Sequence, residues 1–176
     1  MRKLLVLLCS FTALAGAASL ARAAEPTAGQ LSVDGGKGVV MIDLRGSVLG
    51  RLGSGSLRVT DQTPFDRYAP LVAGKKLTWD RVGPRTVLYR GQGLRFRLVG
   101  GGYRMVARGS GITVSAVGRG NVMLDAEPRF VGDDVGLYSR DGADCSSEPD
   151  SCQPLPVDPE RFTLEAPPTQ PPTGGG

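Results

Sequence analysis

Between Leu94 and Asp125 the chain reads LRFRLVGGGYRMVARGSGITVSAVGRGNVMLD, and apolar side chains fall on alternate positions wherever glycine does not interrupt. A period of two places successive side chains on opposite faces of a strand, so one face is core and the other water. Past the first two dozen residues no stretch holds a helical period. Glycine-rich punctuation between short apolar runs completes an all-β reading.

The same pattern occurs twice. With an offset of 63, Leu31, Val33, Arg45-Gly46-Ser47 and Leu49 fall on Leu94, Phe96, Arg108-Gly109-Ser110 and Ile112. Two further residues enter the second copy, after which Gly53-Ser54-Gly55-Ser56-Leu57 falls on Gly118-Arg119-Gly120-Asn121-Val122. The units span about 31–60 and 94–125. Glycines tolerate positive φ at tight turns. Turns at Gly100-Gly101, Gly109-Ser110 and Gly118-Arg119-Gly120 therefore predict a four-stranded meander, with Leu98 opposite Tyr103, Phe96 opposite Met105 and Met105 opposite Val114. One sheet cannot cover its own apolar face, so the expected architecture is an antiparallel β-sandwich or barrel built from two similar four-stranded meanders. The alternative is a short β-solenoid, which would need stacked parallel strands rather than hairpins. Trp79, in the joining segment, reads as a core plug.

The first residues, MRKLLVLLCSFTALAGAASLARAAEP, combine a basic start, an apolar run and the small-x-small pattern Ala21-Arg22-Ala23. That is the form of an export signal over 1–23. A single all-β domain then occupies 24–165, including an acidic loop at 133–158. The stretch 166–176, APPTQPPTGGG, has the composition of a disordered tail. No later segment is apolar for long enough to span a bilayer as a helix. The expected location is outside the cell, or in the periplasmic or cell-envelope space. Cys145 and Cys152 are the only cysteines beyond the signal, and an isolated close pair in an exported chain predicts one disulfide.

Formal charge is +4 for the whole chain, but it is unevenly spread. From Leu31 to Asp125 there are fifteen Lys or Arg against six Asp; from Ala126 onward, three Arg against ten Asp or Glu. In the predicted sheet Arg95, Arg97, Arg104 and Arg108 share the outer face, with Arg97 directly across from Arg104. These four form the candidate anion site, with Arg51, Arg58 and Arg67 as ordinary surface charge for comparison. The arginines have no interleaved aromatics for base stacking, so nucleic acid is not the expected partner.

The chain contains no histidine, which removes the commonest general base and metal ligand and every Ser-His-Asp or Cys-His arrangement. No phosphate-loop or dinucleotide pattern is present. Two carboxylates, Asp61 and Asp125, sit at matching ends of the two units and could in principle serve polysaccharide hydrolysis if they converge in one cleft. The acids Asp133, Asp134, Asp141, Asp144, Glu148 and Asp150 raise calcium, although their spacing is not that of an EF-hand and clustered exposed acids are ordinarily solvated. The resulting expectation is an exported, non-catalytic binding or envelope-associated structural module, its basic sheet face meeting anionic envelope or extracellular polymers. A histidine-free carboxylate hydrolase is the alternative.

Overall fold

The computed structural model describes residues 28–67, 69–127 and 135–165. The segment 1–23 read as an export signal, the 166–176 segment expected to be a disordered tail, and Asp133 and Asp134 lie outside them. The strands are β1 (Gly29–Asp61), β2 (Leu71–Gly83), β3 (Thr86–Ala126), β4 (Leu137–Ser139), β5 (Gln153–Pro154) and β6 (Glu160–Leu164). They form one antiparallel sheet in the order β2-β3-β1-β4-β5, with β6 added to β3. The all-β, antiparallel class is as the alternation requires.

Two strands dominate, and their pairing is unusual. Over most of its length β1 is bonded to β3 along both edges. Leu31 and Val48 both pair with Ala116, and Ile42 and Val59 both pair with Met105. Each such couple is seventeen positions apart in the chain yet only two strands apart in space. A straight strand of that length would run about 56 Å, whereas two interstrand spacings are about 10 Å. The two strands must therefore be wound together, each returning beside itself once per seventeen residues.

Glycines mark where the winding bends. Gly29, Gly118, Gly46 and Gly101 pair in succession across the sheet, and so do Gly38, Gly109, Gly55 and Gly91. These rows are seams along which the sheet folds. At the Gly55–Gly109 crossing the φ angles are +135° and +146°, and a Cβ on either residue would run into the other strand's carbonyl oxygens. Only glycine lets the two backbones meet this closely in that conformation. Between seams the legs are short and straight. Their inward side chains, including Leu31, Val48, Leu98, Tyr103, Met105, Ile112 and Leu124, merge into one core.

Three expectations need correction. The local hairpins are absent: β3 runs unbroken through Gly100-Gly101, Gly109-Ser110 and Gly118–Gly120, and its partners lie in β1. Phe96 faces Gly50, not Met105; Tyr103 faces Leu44 and Asp61, not Leu98. The assignment of faces nevertheless holds, because every side chain placed on the core side from Leu94 to Leu124 is buried. Arg97 does not oppose Arg104; it pairs with Leu49 and Leu71. Trp79 is not a plug but lies on the edge strand β2 with 62 % of its surface exposed.

The far edge of the sheet is covered. Cys145 and Cys152 form the disulfide, with their Cα atoms 5.7 Å apart. The Cys145 N–H donates to Ser32 Oγ at 3.2 Å, which docks this loop on the first leg of β1. Leu155, buried beside it, donates its N–H to Gly136 O at 2.9 Å.

Candidate functional site

The four arginines of the expected anion site do not form one cluster. Arg95 and Arg97 precede the seam at Gly101 and Arg104 and Arg108 follow it, so the two couples project from different legs of the coil. Arg104 is engaged: its Nε donates to Asp43 Oδ2 at 2.7 Å, and Gln62 donates to the other oxygen of the same carboxylate at 3.0 Å. Arg108 stands between Val39 and Ser56. Of the four, Arg95 alone lines a groove that other cations share.

That groove holds about 660 Å³ and runs over the glycine-rich stretch beside the Gly55–Gly109 seam. Arg51 and Arg95 are direct cross-strand neighbours, and Thr113 is the partner of Arg51 on its other edge. Lys75, reaching in from β2, adds a third cation. The floor is glycine: Gly35, Gly93 and Gly111 have φ of +67°, +57° and +65°, and a Cβ on Gly35 or Gly93 would meet nothing within 4 Å. A ligand could thus lie directly on backbone.

Opposed like charges cost a few tenths to about 1 kcal/mol in a sheet, and little in the protein offsets the cost here. Asp34 is the nearest acid. It accepts from Thr113 Oγ1 at 3.0 Å and stands 3.9 Å from Arg51, whose side chain is 68 % exposed. An ion pair so long and so wet contributes almost nothing. Arg95 and Lys75 have no acidic partner among the described residues. Next to the groove, a depression of about 440 Å³ uses Arg51, Arg95 and Thr113 again and extends past Leu49 toward Asp144.

The sequence reading missed Arg51, Lys75, Asp34 and Thr113 because it paired strands locally. A usable signal was present: glycines recur at 29, 38, 46 and 55, and again at 91, 101, 109 and 118. Steps of eight to ten mark half-turns of a coil, and they would have set Arg51 beside Arg95.

The carboxylate pair does not assemble. Asp125 pairs with Val39, Val39 with Arg108, and Arg108 with Ser56, which is five residues from Asp61. Three strand spacings are about 14 Å and five residues about 17 Å along the strand, so the two acids share no cleft. In the acidic loop, Asp141 accepts from the Ser139 hydroxyl and from the Ala143 N–H. Asp144 accepts from the Ser146 hydroxyl and N–H. These bonds hold both carboxyls below the usual carboxylate range, the hydroxyl donors being the larger cause. The acids close their own turns; among the described residues no three metal-ligating side chains gather. No helix among those residues is long and apolar enough to cross a membrane.

No family model matches the chain, and no curated protein and no solved structure matches it either.

Proposed function

We propose that the protein is an exported, non-catalytic binding module whose Arg51–Arg95–Lys75 groove takes an anionic polymer of the envelope or extracellular space. The observation that carries this reading is the direct pairing of Arg51 with Arg95, beside Lys75, over a floor of glycines. Two guanidinium groups held at one strand spacing suit carboxylate, sulfate or phosphate groups repeated along a chain, each met by a planar fork of donors. An open groove admits a polymer at any point along its length, whereas a closed pocket would select its end. The disulfide is compatible with the oxidising setting that the export signal implies.

The test is elution of the chain from Ala24 onward from a sulfated-polysaccharide matrix with rising salt. Replacing Arg51, Arg95 and Lys75 by Ser should move elution to markedly lower salt. Replacing Arg58, Arg67 and Arg108 removes the same charge and should do much less. Equal shifts would mean that net charge alone governs retention, and the groove would lose its role.

A further inference from the structure

The β2 end of the coil carries a second, unrelated cavity. Directly opposed residues of antiparallel strands share a face, which fixes the direction of side chains along this end. Val59 pairs with Val87, and Val87 with Arg81; Leu57 pairs with Tyr89, and Tyr89 with Trp79. Val59 and Leu57 are buried. Val87, Tyr89, Arg81 and Trp79 therefore project on the core side of the sheet, at the point where the winding runs out and no further leg covers them. Pro64 and Pro70 also line this gap, which stays partly open to solvent and holds about 240 Å³.

The chemistry of this cavity is mixed in an ordered way. Val59, Val87, Tyr89 and the prolines make its apolar side, while Arg81 and Arg85 add two cationic residues to its lining. Among the described residues Arg81 donates only to Pro84 O at 3.5 Å, and Arg85 only to Gln62 O at 3.4 Å, both long bonds from exposed side chains. Asp61, the one acid in the lining, already accepts from the Thr63 N–H at 2.9 Å. An inward charge near a sheet edge can act simply to discourage edge-to-edge pairing. That role needs neither an apolar cavity nor a second arginine beside the first.

We infer that this end cavity binds a small free amphiphile: a short alkyl or aryl group that fills the space between Val59, Val87 and Tyr89, ending in a carboxylate met by Arg81 and Arg85. The volume lies just under the range of about 300–1,000 Å³ typical of sites for drug-sized ligands, which sets the ligand as small. Burial raises the Tyr89 phenol above its ordinary value, as expected of a side chain half withdrawn from water.

The chain has one tryptophan, and it is the cross-strand neighbour of Tyr89, so ligand entry can be followed by Trp79 emission and checked by calorimetry. The probes are octanoate, octanol and vesicles of phosphatidylglycerol, applied to the chain from Ala24 onward. Octanoate is expected to bind and octanol to bind at least about tenfold more weakly. Arg81→Gln with Arg85→Gln should erase that preference while leaving octanol affinity unchanged, and Arg58→Ser should alter neither. Val87→Phe, which fills the cavity, should abolish both. Equal affinity for acid and alcohol, an octanoate affinity indifferent to the two Gln substitutions, or no binding up to millimolar octanoate would each overturn the inference. So would recruitment to vesicles without a response to octanoate, since the arginines would then meet lipid headgroups instead. The polymer groove is tested separately: the Gln pair should elute from the sulfated matrix like Arg58→Ser with Arg67→Ser, which removes the same charge, whatever the outcome with octanoate.

Discussion

Phe96 lies over Gly50: a Cβ built on Gly50 would stand 2.8 Å from Phe96 Cε2 and 2.6 Å from the Thr113 carbonyl oxygen. Phe96 and Val114 pair with Gly50 from its two sides, so the missing side chain in the middle leg makes room for the large one beside it. Phe96→Ala should cost about 3–5 kcal/mol by opening a cavity, and Gly50→Ala about 1–3 kcal/mol by crowding the ring. Combined, they should cost less than the sum, because the clash with the ring is relieved while the one with the Thr113 carbonyl remains. Urea unfolding of the four proteins measures the coupling. Arg97→Ser, on the exposed face, should cost little; additive losses at Gly50 and Phe96 would mean that the two do not share space.

The seams make a second prediction, which separates glycines by environment. Gly55→Ala brings a methyl into the Arg108 carbonyl at positive φ and should destabilise by at least about 3 kcal/mol. Gly35→Asn, at φ +67° with nothing within 4 Å, should cost about 1 kcal/mol or less, since Asn tolerates that conformation. Denaturation midpoints in the opposite order would contradict the seam assignment.

For the disulfide, replacing Cys145 and Cys152 together by Ser should lower stability by no more than about 3 kcal/mol, because the closed loop is short. Circular dichroism should retain the β spectrum, since only a docked loop is released. Alkylation of the untreated protein should find no free thiol at either position.

The acidic loop sets a pH dependence. Asp141 and Asp144 titrate lower in the folded chain than in the unfolded one, so their contribution is present above the unfolded value of about 3.9. It is lost as the pH falls through the folded values. Between about pH 5 and pH 2 the native protein should lose stability more steeply than Asp141→Asn. Parallel curves in chemical denaturation across that range would show that the Ser139 and Ala143 bonds do not stabilise the carboxylate.

The sequence revealed faces far better than partners, and the reason is physical. Alternation is local: Leu94, Phe96 and Leu98 must point one way whatever lies beside them, and all three are buried. Pairing is not local. A glycine pair such as Gly100-Gly101 serves equally a hairpin that reverses the chain and a corner that carries it onward, and both keep the inward set inward. Arg104 illustrates the consequence. The hairpin register set it against Arg97, whereas the corner sets it against Asp43, changing a repulsive contact into an attractive one without altering which face it occupies. The candidate site was hidden for the same reason, since Arg51 and Arg95 become neighbours only once two strands far apart in sequence are wound together.

That winding also governs when the chain can fold. Nearly every ladder bond of β1 is made to β3, from Thr86 up to Ala126, so the first leg of β1, Gly29–Val33, has no β3 partner until Val114–Gly118 has been synthesised. Helical and hairpin proteins can store structure as they emerge; a chain with contacts this distant pays its loop-closure entropy before receiving any return and is expected to fold slowly. Until then a glycine-rich, alternating strand waits with both edges bare, the state in which such strands find the wrong neighbour. Its early life therefore favours a route that delays folding until the whole chain is present.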